Sequence, residues 1–203
     1  MLKIKHFIQQ SWLLIVSSFF FGLLIAVANA AWSPKIEQNK KDKLDNLMRG
    51  LISEAKSFEV AVENVKIKDE KGKMSATNVY KGLDSTGNCA GFAFIASGSG
   101  FADKIELVIG VDSKFEKFSG FKVLSSNETP GFGSKIYENY FGSQFIGAPA
   151  GKLELIKSGK AEELDSQIVA ISGATVSSDA VVKIFNTYIN KVKEQVQTKG
   201  LIQ

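Results

Sequence analysis

A chain of 203 residues with 44% hydrophobic and 23% charged content can fill one packed domain and still leave a further segment. Its 25 basic and 21 acidic residues give a net charge of +4, too balanced for a nucleic-acid surface, so no nucleic-acid partner is expected. One cysteine, Cys89, excludes an intrachain disulfide or thiolate cluster, and one histidine, His6, excludes His-based metal or haem ligation in the folded part.

In chain order, the first element is an uncharged run from Trp12 that reaches Ala31, about 20 residues or roughly 30 Å of helix, enough for one hydrocarbon core. Lys3, Lys5 and His6 precede it, which places that end in the cytoplasm, with Trp12 and Trp32 as interfacial anchors. Lys35, Lys40, Lys41 and Lys43 follow it and weaken the asymmetry. Two readings stand here: a retained single-pass anchor over residues 1–31, in contact with membrane lipid, or a signal peptide cleaved near Ala28, Asn29 and Ala30. Both send residues 32–203 across the cytoplasmic membrane, and the anchor is the reading adopted.

Ser33 and Pro34 have the chemistry of a new helix start, and Leu44, Leu47, Met48, Leu51, Ile52 and Ala55 recur at helical spacing behind them. Strands are expected around Met74–Tyr80, Gly91–Ala96, Lys104–Val111 and Phe121–Ser125, joined by connections short enough for an antiparallel meander. A helical stretch follows from Lys135 to about Gln144, then strands at Lys152–Lys157 and Ile168–Ile171. In the closing helix Val181, Phe185, Tyr188, Val192 and Val196 form an apolar stripe, while Lys183, Asn186, Asn190 and Lys193 face away. The fold class is α+β: a mostly antiparallel twisted sheet with helices at both ends, behind one transmembrane helix.

Between the last strand and that helix stands "SGATVSS", Ser172 to Ser178. Gly173 and Ala174 let a ligand approach the backbone, Ser172, Thr175, Ser177 and Ser178 offer hydroxyl groups, and the start of a helix favours an anion such as a phosphate. The same residues also serve as a plain helix cap, with Ser177 and Asp179 in the first turn. A second polar stretch, "NETPGFGSKI" from Asn127, contains a Pro130–Gly131 turn and a second bend at Gly133, and it carries Glu128 and Thr129. Phe92, Phe94, Phe101 and Phe132 can either pack round a planar ligand or belong to the core.

These stretches resemble the FMN-binding domain family. "SGATVSS" is similar to its flavinylation motif, and "NETPGFGSKI" to its Glu-Thr-Pro-Gly-x-Gly loop. "GSGFADKIELVIGVD", from Gly98, is a weaker third match. The resemblance implies FMN joined covalently through its phosphate to the Thr175 hydroxyl. It also implies cofactor-binding roles for Ser172, Gly173, Ala174, Ser177, Ser178, Glu128, Thr129, Pro130, Gly131 and Gly133. A separate flavin transferase, using FAD and a divalent metal, would make the bond, since nothing near Thr175 activates it. The transferase pattern usually has aspartate where this chain has Val169. Over nearly its whole length the chain is similar to the G subunits of Rnf-type ion-pumping ferredoxin:NAD oxidoreductases, relatives of the C subunits of sodium-pumping NADH:quinone reductases. That likeness implies an electron-relaying subunit with other membrane subunits of a redox-driven ion pump as partners and with no catalytic acid or base of its own. An anchored flavin domain feeding a soluble extracytoplasmic reductase, and an anchored binding module without cofactor, remain open.

Overall fold

The computed structural model describes residues 2–68, 72, 74–159 and 165–202, with side chains described from Ser11 onward, so those of Lys3, Lys5 and His6 lie outside the described residues. The chain divides into two compact units, residues 1–43 and 44–203.

Helix α1 runs over Leu2–Leu51. The large apolar residues from Trp12 to Val27 are exposed, from Leu24 at 51% to Phe19 at 74%, and among the described residues α1 is the one helix long and apolar enough to cross a membrane. The expected restart at Ser33 and Pro34 does not occur, for Pro34 lies inside the helix. The Ser33 hydroxyl donates one turn back to the Asn29 carbonyl, at 2.7 Å, rather than capping a new helix. Proline removes one helical hydrogen bond. The alanines before it and the Lys, Glu and Gln residues after it are strong helix formers, and Gln38 supports the second stretch by donating to Asp42 at 2.8 Å.

In the second unit, the end of α1 and the turn after it bury part of the predicted stripe: Met48, Ile52 and Ala55 pack with Ala93 and Val108, with Leu44, Leu47 and Leu51 partly buried against them. Glycines let it come close, since a Cβ at Gly91 would meet Ile52 at 3.3 Å and one at Gly110 would meet Leu51 at 3.1 Å. The strands beneath are β1 (Ser57–Lys68), β2 (Met74–Leu83), β3 (Cys89–Ser99), β4 (Lys104–Asp112) and β5 (Phe118–Ser126), paired antiparallel in that order. Four of them are the expected strands. β1 is an addition, and its register shifts between Val60 and Val62 and between Val62 and Val65, with Asn64 at a φ of +53°. Those shifts interrupt the two-residue alternation that marks a strand in sequence.

The expected helix from Lys135 breaks into a 3-10 turn (Gly133–Tyr137), a short α2 (Asn139–Gly142) and a second 3-10 turn (Ser143–Phe145). Asn139, Gly142 and Ser143 are poor helix formers, and the segment is held instead by burial of Ile136, Phe141 and Phe145. Strands β6 (Glu154–Ile156) and β7 (Gln167–Val169) form a separate parallel pair. Helix α3 (Thr175–Thr198) lays Val181, Phe185, Tyr188, Val192 and Val196 on the sheet, each at most 2% exposed. Two residues expected to face solvent are tied down instead. Asn186 accepts from the Leu153 N–H at 2.7 Å and donates to its carbonyl at 2.8 Å, and Lys193 donates to the Phe115 carbonyl at 3.0 Å. The α+β reading holds.

Candidate functional site

The site is built from two turns and the first turn of α3. After β7 the chain turns at Ile171–Ala174: the Ala174 N–H donates to the Ile171 carbonyl at 3.0 Å, with Gly173 at a φ of +78°. A glycine with positive φ in the third position is what a type II turn requires. Ala174 is the N-cap of α3, and no side chain caps it. The helix start therefore offers first-turn N–H groups and the positive end of its dipole without a side-chain partner at the cap. Thr175, the first residue of the helix, is exposed, and so are Ser172, Gly173 and Val176.

The second turn is Thr129–Phe132, closed by the Phe132 N–H on the Thr129 carbonyl at 3.2 Å, with Pro130 second and Gly131 third at a φ of +76°. It is the same turn type with its preferred residues. Together with Phe101 from the β3–β4 turn, these segments enclose a cleft of about 520 Å³ lined by Thr129, Phe132, Gly133, Gly173, Ala174, Thr175, Val176 and Ser177. That size lies in the range of small-molecule sites. The Phe101 turn is braced by Asp103, whose carboxylate accepts from the Asn127 amide and from the Lys104 N–H at 2.8 and 2.7 Å. Those bonds, the Asn127 one foremost, hold its carboxyl below the usual value.

Not every expected site residue faces the cleft. Ser178 is fully buried and its hydroxyl accepts from the Ile171 N–H and donates to the Ala174 carbonyl, both at 3.0 Å, so it fastens the turn from behind. Glu128 is 6% exposed and points inward: Oε1 accepts from the Ala102 N–H at 3.0 Å and Oε2 accepts from the Ser177 hydroxyl. Ser172, Pro130 and Gly131 are exposed beside the cleft without lining it. The four phenylalanines divide. Phe92 and Phe94 on β3 are core at 0% exposure, whereas Phe101 and Phe132, at 68% and 58%, line the cleft. Val176, 54% exposed beside Thr175, is a lining residue that sequence reasoning missed, although an apolar residue on the solvent side of a helix start is a readable signal. Val169, where the transferase pattern has aspartate, ends β7 with its N–H and carbonyl both held by Gln144, at 2.8 and 3.2 Å.

The arrangement fits a flavin mononucleotide. A hydroxyl and uncapped amides suit the phosphate, and apolar side chains flank a cleft suited to a planar ring. Among the described residues no cluster of His, Cys, Asp and Glu could hold a metal.

Comparison with known proteins points the same way. Residues 100–190 match the FMN-binding domain family. The chain is 30% identical to the G subunit of an ion-translocating oxidoreductase complex from Methanosarcina acetivorans, over 90% of this chain and 92% of that one. It is 28% identical to the G subunit of a proton-translocating ferredoxin:NAD(+) oxidoreductase complex from Clostridium ljungdahlii, over 91% and 89%. Among solved structures, NqrC of Shewanella oneidensis superposes with a TM-score of 0.58 at 20% identity, covering 72% of this chain and 73% of that one. The C subunit of the Na(+)-translocating NADH-quinone reductase of Parabacteroides distasonis gives 0.54 at 19% identity, covering 77% and 94%. At such identity these two structures show a shared fold.

Proposed function

The chain belongs to the FMN-binding domain family, among the G subunits of ion-translocating oxidoreductase complexes, and on that premise we propose that it carries FMN covalently on Thr175 and relays electrons within such a complex. The observation that carries this reading is the meeting of an exposed Thr175, at an uncapped helix start, with the Thr129–Gly133 loop and Phe101 around one cleft. Two motifs far apart in sequence share a single site.

Residues on both sides of the cleft then have tasks. The Thr175 hydroxyl bears the phosphate, the first-turn amides of α3 stabilise its charge, and Gly173 leaves the backbone open to it. Phe101, Phe132 and Val176 shield the ring from water. Bound FMN supplies one- and two-electron chemistry, its potential set by nearby charge and hydrogen bonds. The chain provides attachment, orientation and shielding, and no side chain has to act as acid or base. A flavin transferase supplies the activation that threonine lacks. The domain works on the extracytoplasmic side, where a covalent tether prevents loss of cofactor by dilution. Its partners are the other membrane subunits of a ferredoxin:NAD oxidoreductase of the Rnf type.

The test is denaturing gel electrophoresis of protein made together with a flavin transferase. The wild-type band fluoresces as flavin and the Thr175→Ala band is dark; equal fluorescence from both removes Thr175 as the attachment point.

A further inference from the structure

Glu128 is a buried acid that the flavin reading leaves without a task. It is 6% exposed, and the ion pairs of Arg49, Lys104, Lys183 and Lys191 use Asp45, Glu106, Asp179 and Glu194. A buried carboxylate is costly unless hydrogen bonds satisfy it. This one has two donors from separate elements: the Ala102 N–H in the β3–β4 turn, at 3.0 Å on Oε1, and the Ser177 hydroxyl in α3, on Oε2. Two glycines close the cage around it. A Cβ at Gly100 would overlap Oε1, and one at Gly133 would stand 2.5 Å from Oε2 and 2.6 Å from Ser177 Oγ.

Three backbone segments therefore meet on one side chain, and each carries an exposed apolar residue of the cleft next to its contact point. Phe101 lies between Gly100 and Ala102, Phe132 precedes Gly133, and Val176 precedes Ser177. The walls of the cleft are the immediate neighbours of the residues that Glu128 pins.

We propose that Glu128 is a positioning residue that sets the spacing of the cleft's three apolar walls by accepting one hydrogen bond from the β3–β4 turn and one from α3. It acts from behind the cleft and does not touch the flavin. This deepens the FMN reading and rests on it for the nature of the ligand.

The experiment uses the full chain in detergent, with and without flavin loaded by the transferase, as wild type, Glu128→Gln, Glu128→Ala and Ser177→Ala. Glutamine retains an oxygen for the Ala102 N–H and offers its amide to Ser177 Oγ. In the unloaded protein, exchange of the Ala102 amide rises about tenfold in Glu128→Ala, the factor expected for one lost hydrogen bond, and stays near wild type in Glu128→Gln. In the loaded protein, iodide quenching of the tethered flavin rises several-fold in Glu128→Ala and not in Glu128→Gln, at a temperature where far-ultraviolet dichroism is unchanged. A general loss of stability would not produce that pattern. Should Glu128→Ala fail to fold, Ser177→Ala decides: the proposal expects increased quenching with the Ala102 amide still protected. Wild-type exchange and quenching in Glu128→Ala overturn it, as do wild-type quenching in Ser177→Ala and a Glu128→Gln protein that behaves like Glu128→Ala. A wild-type chain that carries no flavin sinks the FMN reading alone, and the Ala102 amide then still decides the role of Glu128.

Discussion

A methyl group added at Gly133 would come within 2.5 Å of Glu128 Oε2 and 2.9 Å of its Cβ, with no positive φ to blame, so the penalty is crowding in a filled space. Gly133→Ala is expected to destabilise the domain by about 1–3 kcal/mol, the usual range for overpacking. It would appear as a lower denaturation midpoint at unchanged slope, and a loss below about 0.5 kcal/mol, the surface level, would mean that the carboxylate yields freely. Gly131 is the opposite case: nothing lies within 4 Å of its absent Cβ, and the φ of +76° alone demands glycine. The difference explains which site residues were legible. Gly131 and Gly173 owe their positive φ, and Thr175 its place at the start of α3, to turn and helix-start chemistry confined to a few neighbours, which the sequence displays. The direction of Ser177 is decided by Glu128, 49 residues away, and that of Ser178 by Ile171 across the turn. Likewise nothing local separates Phe92, in the core, from Phe132, on the surface.

Helix α3 is bound to the sheet through an aromatic cluster centred on Phe185, whose ring lies 4.7 Å from Phe145, 4.9 Å from Phe118 and 5.7 Å from Phe121. Phe185→Ala is expected to cost about 3–5 kcal/mol, since Phe118 and Phe121 are held on β5 and Phe145 on the second 3-10 turn, and these rings cannot all collapse into the space. Equilibrium unfolding measures it, and a cost near 1 kcal/mol would mean that the cluster re-forms. The stripe that includes Phe185 was plain in the sequence because helical periodicity depends only on the segment itself. Strand β1 was not, because its two register shifts break the alternation and leave Val60 exposed at 44% while Val62 and Val65 are buried. The same limit applies to Ser33 and Pro34, since local chemistry marks a helix start there but not whether the preceding helix has ended. Asn186 shows it once more: its place on the polar side of α3 was readable, but its two bonds to Leu153 depend on a strand pair that tertiary structure brings alongside.

On the scale of the whole molecule, the relation between the apolar helix and the flavin domain turns on which side of the membrane the domain occupies. Lys3 and Lys5 before the apolar run argue that this end stays in the cytoplasm, while Lys35, Lys40, Lys41 and Lys43 argue the reverse. Two considerations favour export. A basic segment followed by an apolar run is the pattern that sends the following chain across a membrane, whether or not it is later cleaved. Export would also give the proposed ester at Thr175 a purpose, because an FMN held only by reversible contacts in an open cleft would be lost to a volume without supply. A reporter joined after Gln203 that is active only outside the cytoplasm, such as alkaline phosphatase, is therefore expected to be active, and a green fluorescent protein exported through the general secretory route is expected to be dark. Replacing Lys3 and Lys5 by glutamate should shift part of the population the other way. A fluorescent reporter in the unaltered protein would put the flavin domain in the cytoplasm, where free FMN is available, and the reason for a covalent bond would then have to lie in electron transfer itself.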